Sequence, residues 1–247
     1  MSWLKQAMCI AALLCGATAF AGQGDFTQEL SSYVGQKLIL RTYGDLQKVT
    51  VKRKNLNQPA GTCDRAVEVL NAAQKKDKII FRLEQIGSID VGGASHCSQV
   101  WSETEFIITD LGDISLRDFN LMLQDVFLTP EAYLGRNGRS FNLQPSEVIG
   151  PVAFPGINAT LAKPILQVGP VLTEEARQAR IGKSYIRLSA VVGTDGRIHS
   201  PQITSNPGYG LDKQSLRVLS LWRFDPARQG DKSVSVQMQL EFTFAVY

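Results

Sequence analysis

The chain has 247 residues, 44% hydrophobic and 20% charged, the make-up of a globular protein with enough apolar material for one or two cores. Its 26 basic and 23 acidic residues leave a net charge of only +3, too little to grip a phosphate backbone or an anionic membrane. Nucleic acid and charged lipid surfaces are therefore set aside as partners.

Lys5 precedes an uncharged, largely apolar run over residues 7–21 that ends in Ala19-Phe20-Ala21. This is the layout of a secretory signal peptide cleaved after Ala21, and the run is shorter than the roughly 20 residues a spanning helix needs. The alternative is a retained inner-membrane anchor. Leu14 before Cys15 does not suit a lipoprotein signal. Export makes the cell envelope, periplasmic or secreted, the expected location. It would leave Cys63 and Cys97, an even pair in an oxidising compartment. A disulfide between them, contributing about 3–4 kcal/mol in the chain-entropy model, is the expectation, with two buried thiols as the alternative.

Residues 22–134 read as a mostly β domain. Strand composition recurs over residues 36–43, 48–53, 79–84 and 103–109. Residues 66–73 are ambiguous: Ala66, Val69, Leu70 and Ala73 fit a helix, Val67 and Val69 a strand. A helix is predicted over 116–127, capped by Ser115 with Asp118 three residues on, striped by Leu116, Phe119, Leu123, Val126 and Phe127, and stopped by Pro130. Residues 135–164 hold four glycines and four prolines and read as a linker.

The last domain is placed at 165–247. Thr173 caps a short helix with Glu174 and Glu175 in its first turn and Arg177 and Arg180 in its last. A strand over 185–192 and a turn at Gly193-Thr194-Asp195-Gly196 follow, then a returning strand whose Pro201 marks it as edge or bulged. A second helix is striped by Leu211, Ser215, Val218, Leu219 and Trp222. From Ser233 onward every even residue is apolar (Val234, Val236, Met238, Leu240, Phe242, Phe244, Val246), alternating with Ser235, Gln237, Gln239, Glu241, Thr243 and Ala245. That predicts one 14-residue strand over 233–246. A helical crossover returns it parallel to the second strand and antiparallel beside the first, giving the sheet order second, first, last. The last strand is then an edge with main-chain groups to spare. The fold class is α+β: a mostly β N-terminal domain, then helix-strand-strand-helix-strand with a three-stranded antiparallel sheet.

Several residues carry a resemblance to a known family. They are Pro170 with Glu174-Glu175-Ala176-Arg177, Asp195-Gly196, Gly210-Leu211-Asp212, Trp222-Arg223-Phe224-Asp225-Pro226-Ala227, Gly230 and the alternating strand ending at Phe242 and Phe244. In this order the stretch resembles the C-terminal domain of the TonB energy-transducer family. Leu172, where the family commonly has Tyr, and Ser215, where Ala is usual, depart from it. The resemblance implies a role in TonB-type transport, with the edge strand pairing to a peptide of an outer-membrane transporter. The pairing segment would be Ser233, Val234, Ser235, Val236, Gln237, Met238, Gln239 and Leu240. The alternatives are that the first domain or a second copy of the chain covers that edge, and Pro at Gln237 is the expected way to block pairing there.

Catalytic constellations are not found in the sequence, and no cofactor is expected. His96 beside Cys97 lacks two further metal ligands at sensible spacing, so no metal site is expected. His199 reads as a surface residue. The alternative functions are an anchored transducer, if Ala21 is not a cleavage site, and an envelope hydrolase or ligand-binding protein using residues 22–134.

Overall fold

The computed structural model describes residues 25–41, 64–76, 78–89, 103–109, 111, 113–138, 152–153 and 156–244. The first part holds α1 (Thr27–Tyr33), β1 (Lys37–Leu40), β2 (Asp64–Lys75), β3 (Lys78–Ile89), β4 (Thr104–Ile108), α2 (Leu116–Val126), β5 (Phe127–Leu128) and α3 (Pro130–Arg136). Then follow β6 (Lys163–Leu166), β7 (Gly169–Pro170), α4 (Glu174–Gln178), β8 (Ser184–Val192), β9 (Ile198–Ser205) and α5 (Leu211–Leu219). The chain closes with β10 (Arg223–Asp225), β11 (Ala227–Gln229), β12 (Lys232–Val234) and β13 (Val236–Phe244).

The first sheet is antiparallel in the order β4-β3-β2-β1-β5, with β7 adding a short rung to β3. Pairing on both sides settles the ambiguous 66–73 segment as strand, because β2 lies between β1 and β3. Alternation then sends Val67, Val69, Phe81 and Leu83 to one face, where they pack with Phe26, Leu30, Phe119 and Leu123 of the covering helices. Ile39, Ala66 and Ile86 point the other way and join the apolar cluster built by the last third of the chain.

Local chemistry starts the helices as expected. Ser115 Oγ accepts the Asp118 N–H at 3.1 Å, and Thr173 Oγ1 accepts the Ala176 N–H at 3.1 Å. Pro130 does more than stop α2. It opens α3 at the first helical position, behind Thr129, whose Oγ1 accepts the Ala132 N–H at 3.2 Å. The expected strand over 48–53 lies outside the described residues, as do Ala21, Cys63, His96 and Cys97.

The second sheet has the order β13-β8-β9, the predicted order of last, first and second strands. Leu211, Ser215, Val218, Leu219 and Trp222 are all buried, so the predicted stripe is the face with which α5 covers this sheet. The Ser215 hydroxyl is satisfied by the Leu211 carbonyl at 2.8 Å.

The two sheets hold α5 between them. Arg217 donates to Glu68 at 2.8 Å and to Glu84 at 2.6 and 2.9 Å, and Gln214 Nε2 donates to the Ile86 carbonyl. Burial lowers the affinity of Arg217 for its proton, but the Glu84 and Glu68 carboxylates outweigh it and the guanidinium is held more firmly charged than usual. Gly87 permits the contact. A Cβ there would lie 2.5 Å from Val168 Cγ1 and 2.6 Å from the Gly169 carbonyl oxygen.

A strand edge as candidate functional site

The strand predicted over 233–246 is two strands. Val236 to Phe244 pair with all nine residues of β8, from Val236↔Val192 to Phe244↔Ser184. Beyond Val192 the neighbour reverses at the Gly193–Gly196 turn, so earlier residues cannot continue that ladder. Ser233 and Val234 instead form a hairpin with β11, in the register Arg228↔Ser233 and Ala227↔Val234. Ser235 is the switch between sheets. It is buried rather than outward-facing, which breaks the alternation there. Ala245 and Val246 lie outside the described residues.

Which main-chain groups of β13 are spare follows from the ladder. A strand residue presents its N–H and C=O to the same side, and successive residues alternate. The Gly193 N–H donates to the Arg197 carbonyl at 2.9 Å, so the odd residues of β8 face β9 and the even ones face β13. Register pairs even with even, as in Met238↔Ala190 and Leu240↔Leu188. Gln237, Gln239, Glu241 and Thr243 therefore turn their main-chain groups away from β8. An independent contact agrees: the outward Ser235 carbonyl accepts the Ala153 N–H at 2.8 Å. Among the described residues, the outer side of β13 carries one bridge, Ala153↔Val236, and no other strand.

The opposite edge is built differently. β9 contains Pro201, which has no N–H to offer, slips register twice against β8, and holds Ser200 at φ 47°. These features blunt an edge against further pairing. β13 has none of them. Its outward side chains are exposed and polar, and Glu241 pairs across the sheet with Arg187 at 2.8 Å.

Below the sheet lies a charged cluster that the sequence did not suggest. His199, expected at the surface, is part-buried, with Nε2 3.0 Å from Asp195 Oδ1 and 3.1 Å from Oδ2. Because the carboxylate only accepts, this ring nitrogen carries the proton. Burial raises the pKa of Asp195, but His199 and the Arg197 N–H outweigh it, and the carboxyl is held below its usual range. Glu131 of α3 behaves likewise. Burial opposes its ionisation, yet Arg223 at 2.7 Å and Arg197 at 2.9 Å hold its pKa down. Both groups ionise more readily folded than unfolded, so the stability they contribute is present above the unfolded carboxylate pKa and lost as pH falls through the folded one. Urea midpoints are expected to drop below about pH 4, and Asp195→Asn should flatten that fall. An unchanged slope in the variant would remove Asp195 from the account.

The described residues contain no helix long and apolar enough to cross a membrane, and no group of three or more His, Cys, Asp or Glu side chains placed to hold a metal.

Residues 169–246 match the family model described as Gram-negative bacterial TonB protein C-terminal. This segment is a TonB C-terminal domain. It begins at β7 and takes in both helices and the β13-β8-β9 sheet, and every residue that carried the resemblance falls inside it. The chain is also similar to the solution NMR structure of the Pseudomonas aeruginosa TonB CTD, with 24% identity over 39% of this chain and 96% of that one, at a TM-score of 0.29. No curated protein matches the chain. The TonB C-terminal domain here is thus joined to a sheet, residues 37–128, that lies outside the family match.

Proposed function

We propose that the chain is an exported cell-envelope protein whose TonB C-terminal domain takes up a peptide segment of an outer-membrane transporter as an added strand along β13. The family assignment implies a part in TonB-type transport. The observation that carries the strand-addition reading is the row of outward main-chain groups at Gln239, Glu241 and Thr243, beside which no other strand of the described residues lies. In this reading residues 1–21 are the export signal, removed after Ala21, and Cys63 and Cys97 form a disulfide. Residues 22–134 are then a mostly β domain, joined by 135–164 to the C-terminal domain at 165–247. Its task is support: it grips α5 and β7. The chain performs no catalysis and needs no cofactor.

The edge offers a clean test. Gln237 adjoins the Ala153 bridge, which makes Gln239 the better position for proline. Pro at 239 deletes an N–H that points away from β8, so the inner ladder keeps its bonds. Outer-membrane transporters are expected to co-purify with the exported full chain and to fall at least about tenfold with Gln239→Pro, a loss of roughly 1.4 kcal/mol or more, while the thermal melt shows a folded domain. Equal recovery by both proteins would defeat strand addition at this edge. The mass of the exported chain tests cleavage after Ala21 separately.

A further inference from the structure

The first sheet ends differently on its two sides. At one, β5 offers two residues before Pro130 opens α3. At the other, β4 pairs Thr104 to Ile108 with Leu83 to Ile79 of β3 in unbroken register, with no proline, no bulge and no residue at positive φ. Among the described residues no strand lies on its outer side. A regular edge of this kind is a template for another strand. Alternation on β4 sends Phe106 and Ile108 into the helix-covered core and leaves Glu105 exposed and Ile107 half-buried on the opposite face. There the register lines up Ala73, Ile80 and Ile107 across β2, β3 and β4. This half-buried apolar row belongs to neither core cluster and runs out at the edge. The next row, Asn71, Arg82 and Glu105, is polar.

We propose that β4 is a self-pairing edge, which joins two copies of this chain about a two-fold axis through Ile107. Residues opposite one another on antiparallel strands project to the same face, and a two-fold axis sets each edge against its own copy. The sequence of β4 chooses the register. Centred on Glu105, two carboxylates would stand face to face, and centred on Phe106, each Glu105 would oppose an isoleucine. Centred on Ile107, isoleucine meets isoleucine, Phe106 meets the partner's Ile108 on the core side, and Glu105 falls opposite the partner's Thr109. The row of Ala73, Ile80 and Ile107 then continues from one sheet into the other. The occupant is a second copy because the edge complements itself in this register, with aliphatic on aliphatic and no charge against a like charge.

Sedimentation of the exported full chain over a range of concentrations tests this. Twice the chain mass is expected, in a fraction that rises with concentration. Ile107→Lys sets two ammonium groups against each other and should weaken the dimer at least about tenfold. Its thermal melt should match the wild type, because Ile107 lies outside both core clusters. Cysteine variants read the register independently. Ile107→Cys should cross-link to its own copy on mild oxidation, beyond any cross-linking of the wild-type chain, since facing Cβ atoms lie about 4.5–5.5 Å apart. Glu105→Cys should not, because the same register holds its two copies about 14 Å apart. A chain that is monomeric at every concentration would overturn the proposal. So would a dimer that survives Ile107→Lys, or one that cross-links as readily through position 105 as through 107.

Discussion

Trp222→Ala is expected to destabilise the chain by about 3–5 kcal/mol, the range for deleting a large buried aromatic side chain. Trp222 sits where α5 ends and β10 begins, and three separate parts of the chain meet on it. Its indole N–H donates to the Val168 carbonyl at 2.9 Å, and its ring meets Phe242 edge-on at 5.1 Å and Phe224 at 6.1 Å. Removing the ring opens a cavity beneath β13 and strips a buried carbonyl of its donor. Trp222→Phe separates the two effects, since it keeps most of the apolar area and loses only the hydrogen bond, at about 1 kcal/mol. Urea denaturation followed by far-ultraviolet circular dichroism measures both. If the alanine variant lost less than about 1 kcal/mol, no better than a surface change, the ring could not be the joint described here. The same cavity undermines the floor of the proposed binding edge, so peptide affinity should fall along with stability.

Gly87→Ala is expected to cost about 1–3 kcal/mol, the usual penalty of overpacking, and to loosen the first sheet from the TonB C-terminal domain. The sign is the informative part. Glycine inside a strand is ordinarily a liability, and alanine there would stabilise by about 0.5–1 kcal/mol if the space were open. Here the new Cβ would stand 2.6 Å from the Gly169 carbonyl oxygen, a main-chain atom of β7. A flexible side chain could swing aside, but that carbonyl cannot move without disturbing the β3–β7 rung. The matching control is Gly169→Ala across the same rung, where the nearest atoms lie 3.7 and 4.0 Å away and contact is ordinary. Amide hydrogen exchange in α5 and β7 should speed up in Gly87→Ala and stay slow in Gly169→Ala. A stabilised Gly87→Ala protein would mean that the two sheets do not approach as closely as described.

These two positions differ in how far the sequence announced them. Trp222 was legible as the end of the α5 stripe and as part of a motif, because an amphipathic helix advertises its buried face through its own spacing. Gly87 was not, because it lies beyond the strand predicted over 79–84 and the carbonyl it packs against is 82 positions away at Gly169. The same division runs through the docking of α5. Arg217 and Gln214 lie on the helix, while Glu68, Glu84 and the Ile86 carbonyl come from the first sheet, and no local pattern ties them together. The pairing of His199 was missed for a related reason. Its partner Asp195 is only four residues away, but the turn at Gly193 is what folds the imidazole back over it.

By itself the sequence determined the α+β class, the helix caps at Ser115 and Thr173, the α5 stripe, the sheet order and the family of residues 169–246. Each of these depends on neighbours within one turn of helix, on strand alternation or on connection rules, and all three are written into local order. Only the tertiary structure decided that the closing apolar alternation breaks at Ser235, since that depends on how many rungs β8 has to offer before it turns. It also decided which side of β13 pairs with β8 and which side meets no other strand of the described residues, because an edge is defined by the strands that fail to reach it.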